Sequence, residues 1–142
     1  MAKNLFQNQL STHAAHECLL SILVHPENLP LWDDEFTHVE PTSDGYALTR
    51  CQPALNEQEL LTVTATVNQI SYHSQGSQLN YDLTFTFDTT APLTTLTQEL
   101  QLAPNSTLPV PLNLLVPIAK HAFAQKLRSL IVLAESSKEV TI

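Results

Sequence analysis

Residues 112–134, LNLLVPIAKHAFAQKLRSLIVLA, decide the architecture of this chain. Leu112, Leu115, Val116, Ala119, Phe123, Leu127, Leu130, Ile131 and Ala134 recur at three- and four-residue steps, the spacing of a single helix face. A helix of about 22 residues is roughly 33 Å long. It cannot bury such a stripe alone, so the strand-patterned sequence before it must supply the surface it lies on. Asn113 offers a cap for the helix, in which case Pro117 removes one backbone hydrogen bond inside it. Lys120, Lys126 and Arg128 fall off the stripe and read as a solvated helix face.

Upstream, Lys3 to Leu10 reads as a first strand, and Ser11 or Thr12 as a helix N-cap. Ala14 to Val24 is helix-patterned and stops at His25-Pro26, because the residue before proline avoids the helical region. Pro26 can open a second, brief helix that ends near Trp32. Strands are then expected over Glu35–Glu40, Tyr46–Cys51, Leu61–Val67, Ile70–His73, Leu79–Asp88 and Leu96–Leu102. The turn clusters are Pro41–Gly45, Pro53–Glu57, Ser74–Ser77 and Thr89–Pro92. The clearest alternation sets Leu61, Val63, Ala65 and Val67 against Thr62, Thr64 and Thr66. Short connections make neighbouring strands antiparallel, with one apolar face and one threonine-rich wet face. Ala103 to Pro117, with four prolines, is an extended connection into the last helix.

Composition narrows the function. A chain of 142 residues forms one domain, residues 1–142, with a sizeable core. Only Gly45 and Gly76 are present, too few for a glycine-rich phosphate loop. Net charge is −8. Residues 1–71 hold nine acids against two bases, which argues against a nucleic-acid partner. Cys18 and Cys51 make no disulfide framework and read as reduced thiols. No apolar run reaches the roughly 18 residues of a membrane span. There is no signal-peptide pattern, so the expected location is cytoplasmic.

The element order, strand, two short helices, about six antiparallel strands and a long terminal helix, resembles the START-like (SRPBCC) superfamily, which includes polyketide cyclases and lipid-transfer domains. The segment His25-Pro26-Glu27-Asn28-Leu29-Pro30-Leu31-Trp32 carries the resemblance most closely. Bacterial members often have Asp-Pro-Glu-Asn-Leu-Pro-x-Trp directly after the first helix. Here His25 replaces the Asp, and Leu19-Leu20 stand where Val-Trp or Val-Phe is common. The resemblance implies an α+β helix-grip fold: a curved antiparallel sheet of about seven strands around the C-terminal helix, with two short helices after the first strand. It also implies a cavity between sheet and helix that often holds an apolar or amphipathic ligand.

Alternation and the helix stripe nominate Leu83, Phe85, Leu100, Phe123 and Leu127 as cavity residues, with Arg50 as a polar anchor suited to a ligand carboxylate. His38, Tyr46, Tyr72, His73 and Tyr81 are the other polar or aromatic strand residues that can point inward. No nucleophile is placed beside a histidine, and catalytic residues are not assigned. His13, His16 and Glu17 lack the converging set a metal needs, so neither metal nor cofactor is expected. Asp33-Asp34-Glu35 reads as a charged turn, and Trp32 as a packing residue. The function expected is non-enzymatic binding of a small hydrophobic molecule. A polyketide cyclase or dehydratase and a ligand-free interaction module, acting as a homodimer or on another partner, are the alternatives.

Overall fold

The computed structural model describes residues 3–51, 58–76, 79–103 and 111–136. Seven strands form one antiparallel sheet: β1 (Lys3–Thr12), β2 (Phe36–Pro41), β3 (Tyr46–Arg50), β4 (Gln58–Ala65), β5 (Gln69–Gly76), β6 (Asn80–Asp88) and β7 (Thr94–Leu102). Their spatial order is β1-β7-β6-β5-β4-β3-β2. Strands β2 to β7 are sequential neighbours, as short connections require. The first strand instead pairs with the last, from Lys3 opposite Leu102 to Thr12 opposite Thr94. Between β1 and β2 the chain crosses one face of the sheet through α1 (His16–Leu23), a 3₁₀ turn at Pro26–Asn28, and α2 (Leu29–Trp32). The long helix α3 (Leu112–Ser136) closes over the same face, against β1, α1 and α2.

Strand periodicity builds the core. Leu61, Ile70, Tyr72, Leu83, Phe85, Phe87, Leu96 and Leu100 are all buried on the face toward α3. Thr62, Thr64 and Thr66 face solvent. The alternation in β4 fades where the strand outruns the core, and Val67 is 69% exposed. The C-terminal half of α3 seals the other side with Leu127, Leu130, Ile131 and Ala134. Each such leucine contributes about 1.5–3 kcal/mol when removed from water.

The segment His25–Trp32 positions the helical layer. Pro26 ends α1 and is itself buried. The Asn28 side-chain amide donates to the carbonyl of Ile22 at 3.2 Å, satisfying one of the free carbonyls at the end of α1. Leu29 and Trp32, three residues apart, share the buried face of α2, and Trp32 meets Phe85 edge-on with centroids 6.3 Å apart.

Several expectations need correction. Neither Ser11 nor Thr12 caps α1; β1 runs through both, and Ala15 stands at the cap without a side-chain bond. Thr12 is buried and shapes the exit instead: its hydroxyl accepts from the Ala14 amide at 3.0 Å and donates to Glu135 on α3 at 2.7 Å. The expected turn at Ser74–Ser77 begins later, because β5 continues to Gly76 and turns Ser74 inward; residue 77 lies outside the described residues. So does most of the connection between Ala103 and α3, and the turn at Pro53–Glu57. Pro117 lies inside α3, where it removes the bond residue 117 would donate to the Asn113 carbonyl.

Candidate functional site

The two halves of α3 are packed differently. Beneath its C-terminal half, α1 supplies Leu19, Ile22 and Leu23 as filler. Beneath its N-terminal half the described residues form no such layer. Leu115, Ala119 and Phe123 are only half-buried, and a cavity of about 270 Å³ lies between them and the strands. Leu5 of β1, Leu100 and Leu102 of β7 and Tyr81 of β6 form its sheet-side wall. An adjoining space of about 20 Å³ reaches inward toward Trp32 and Leu83.

One end of the cavity is a network of charged and hydroxyl groups. Alternation along β3 and β4 turns Arg50 and Glu59 to the same inner face as Leu48 and Leu61. The Glu59 side chain is fully buried. Its carboxylate accepts from Arg50 Nε, from the Ser74 hydroxyl at 2.6 Å and from the Tyr81 hydroxyl at 2.7 Å. Arg50 also donates through Nη1 to Glu35 at 2.8 Å and through Nη2 to the Tyr81 oxygen at 2.9 Å. Its guanidinium lies 4.3 Å from the centroid of the Phe36 ring. Glu35 uses its other oxygen to accept from Lys126 Nζ at 2.7 Å, and Asp33 stands 3.5 Å from the same ammonium. Four strands and α3 are thereby fastened through one cluster.

Burial and partners set the proton affinities. Burial alone would make Arg50 a weaker base, but Tyr81, Glu59 and Glu35 overcome it and hold the proton more tightly. Burial pushes the Tyr81 phenol up, and the neighbouring Glu59 charge pushes it further, so it stays protonated. Burial raises the Asp33 carboxyl despite Lys126. Glu35 is desolvated too, yet Lys126 and Arg50 bring it below the usual carboxylate range.

A second, polar groove of about 310 Å³ runs along the outside, between α2 and α3, past Leu31, Asp34 and Gln125. It shares Glu35, Ala122 and Lys126 with the inner cavity. The Glu35–Lys126 ion pair therefore stands between the outer groove and the inner space.

The residues nominated from sequence divide. Arg50, Leu100 and Phe123 line the inner cavity, and Leu83 lines the small adjoining space. Phe85 and Leu127 are fully buried among packed side chains and line neither. Arg50 does face inward, but its guanidinium is engaged by Glu35, Glu59 and Tyr81. His38 is exposed beside Glu40, and His73 lies on the outer face with Asp82 at 2.7 Å. Tyr72 is buried and donates to the Leu23 carbonyl at 2.5 Å. Tyr46 packs against the core away from the cavity. His16 packs on Phe87, and no group of three or more metal-ligating side chains converges among the described residues.

Lys126 overturns the expectation of a solvated basic face. It sits three residues after Phe123, on the flank of the stripe, and its ammonium reaches back over the Phe123 ring to Glu35 and Asp33. Asp33 is likewise no surface turn residue but 4% exposed. Glu59 carries no motif of its own, and the one signal for it is that it lies two residues before Leu61 and so shares its inward parity. The partners of Lys126 are some ninety residues away in the chain, and no local pattern announces them.

No protein-family model and no curated protein matches the sequence. Solved structures do match the fold. A START superfamily protein from Mycobacterium smegmatis is similar with a TM-score of 0.74 and 18% identity, over 92% of this chain and 97% of that one. The Zhui aromatase/cyclase from Streptomyces sp. R1128 has a TM-score of 0.78 and 10% identity, over the full length of both chains. The di-domain aromatase/cyclase StfQ of steffimycin biosynthesis has a TM-score of 0.74 and 12% identity, over 99% of this chain and 53% of that one. The chain has the START-like helix-grip fold. No helix among the described residues is long and apolar enough to cross a membrane.

Proposed function

We propose that this protein binds a small apolar or amphipathic molecule between the sheet and the N-terminal half of α3. The single observation that carries this reading is the 270 Å³ cavity, walled by leucines, alanines and Phe123 and ended by the Arg50–Glu59–Glu35–Lys126 cluster. An apolar chamber with a few convergent polar groups is the usual form of a small-molecule site. The space lies near the lower end of the roughly 300–1,000 Å³ usual for small-molecule pockets. It also argues against a domain filled entirely by its own side chains.

Native mass spectrometry of the protein purified from its own host tests the proposal, together with titration of a naphthylamine dye. A retained small molecule, or saturable dye binding abolished by Leu100→Trp in a folded variant, is the expected result. Absence of both a retained mass and saturable binding would sink it.

A second reading, an enzyme of the cyclase or dehydratase type, is favoured by one feature: the Tyr81 hydroxyl at the cavity wall, held between Arg50 and Glu59. Two similar structures are named aromatase/cyclases. In such an enzyme Arg50 would polarise a ligand carbonyl and Tyr81 would pass a proton. Tyr81→Phe separates the readings: an enzyme loses turnover of its bound ligand, whereas a binding protein keeps its ligand within a few-fold in affinity.

A further inference from the structure

The cluster at the end of the cavity holds two cations, Arg50 and Lys126, and three acids, Asp33, Glu35 and Glu59. The acids outnumber the bases, and the whole chain carries −8 besides. An arriving carboxylate would either displace Glu35 or Glu59 from Arg50 or add a fourth negative charge within a few ångströms, where water screens poorly. An ammonium would surrender its hydration for carboxylates that Arg50 and Lys126 already claim.

Hydrogen-bonding capacity points the same way. Glu59 already accepts from three donors and its side chain is out of reach of solvent. Glu35 accepts one bond at each oxygen, from Arg50 and from Lys126, and a carboxylate has about four acceptor positions. Its side chain is 43% exposed and borders the cavity. Arg50 uses three of its five N–H donors and Lys126 gives one to Glu35, so the wall offers spare donors beside the Glu35 acceptor, an arrangement that a hydroxyl, which both donates and accepts, can satisfy. We infer that the cavity takes an apolar molecule ending in an uncharged hydrogen-bond donor, an alcohol or phenol, with the donor accepted by Glu35. This rests on the binding reading above and replaces the expectation that Arg50 anchors a ligand carboxylate.

Displacement of the bound dye by decanol, decyl methyl ether and decanoate tests it on the intact protein. The expected order is decanol first, the ether several-fold weaker because it only accepts, and decanoate weaker than decanol by on the order of tenfold. In Glu35→Gln, which removes one negative charge beside the cavity, the decanoate penalty should shrink by about threefold or more. Decanoate binding as tightly as decanol would overturn the inference while leaving the binding reading intact. So would an ether equal to decanol, or a decanoate penalty unchanged by Glu35→Gln. Failure of all three to displace the dye, with no retained mass, would overturn the binding reading and this inference with it.

Discussion

Replacing Glu59 by leucine probes the cluster at its most buried point. The Glu59 side chain has no exposure, and that of Arg50 is 11% exposed. Glu59→Leu keeps the side chain's approximate size but strands the guanidinium beside an apolar group and removes the acceptor used by the Ser74 and Tyr81 hydroxyls. Breaking one side of a buried ion pair costs about 3–5 kcal/mol, because the other charge is left uncompensated. Glu35 still accepts from Arg50 at 2.8 Å, so the low end, about 3 kcal/mol, is expected. In a domain of this size that lowers Tm by about 10 °C. The companion variant Arg50→Leu/Glu59→Leu removes both charges, and apolar replacement of a whole buried pair is often nearly neutral. The double variant should therefore be more stable than Glu59→Leu alone, with a coupling of about 2 kcal/mol in the cycle. Urea unfolding at pH 7, followed by Trp32 fluorescence, reads all four proteins. A Glu59→Leu loss below about 1 kcal/mol, or strict additivity of the two single changes, would refute the claim that the pair is held as a desolvated unit.

Three further outcomes are expected. Gly45 has φ +154°, and a Cβ added there would stand 2.2 Å from the Leu61 carbonyl oxygen of the neighbouring strand; Gly45→Ala should destabilise by about 2 kcal/mol or more by thermal unfolding, and an unchanged Tm would contradict that backbone approach. Leu127→Ala in the packed half of α3 should cost about 2–5 kcal/mol, whereas Leu115→Ala at the cavity should cost much less; equal losses would mean the helix is packed uniformly along its length. Glu35 has a folded pKa below its unfolded value, so its stabilisation is present above the unfolded pKa of about 4.3 and is lost as pH falls through the lowered folded value. Asp33, raised by burial, has the opposite sign: its contribution favours the folded state at low pH and is lost as pH rises through its folded pKa. Urea midpoints between pH 2.5 and 6 should therefore fall less steeply on the acid side in Glu35→Gln than in the parent, and parallel profiles would exclude Glu35 as a contributor.

The layout of this protein is local information. Two-residue alternation places Leu61, Leu83 and Phe85 on one face, and the stripe from Leu115 to Ala134 demands a surface for α3. His25–Trp32 specifies a stop for α1, a cap from Asn28 and two anchors from one short segment. These features depend on residues within a few positions of one another, so the linear sequence determines them. Local signals mislead where a competing partner lies at long range: Thr12 is a plausible cap, but its hydroxyl is taken by Ala14 and by Glu135 at the far end of the chain.

Which lining residues meet open space was decided only by packing. Phe85 and Leu127 carry the same inward signal as Leu100 and Phe123, yet α1 and α2 fill the space near the first pair and leave a cavity beside the second. The polar end of that cavity was also beyond the sequence. Asp33, Glu35 and Lys126 read singly as surface charges, because most such residues are, Arg50 reads as an anchor for a ligand rather than for Glu59, and nothing local marks Glu59 as its partner. Tertiary structure brings them together from α3, two strands and the segment entering β2, and their mutual charge makes burial tolerable. The pattern of apolar residues thus determined that a helix grips a sheet. The three-dimensional meeting of distant charges decided where the grip stays open and what chemistry faces the opening.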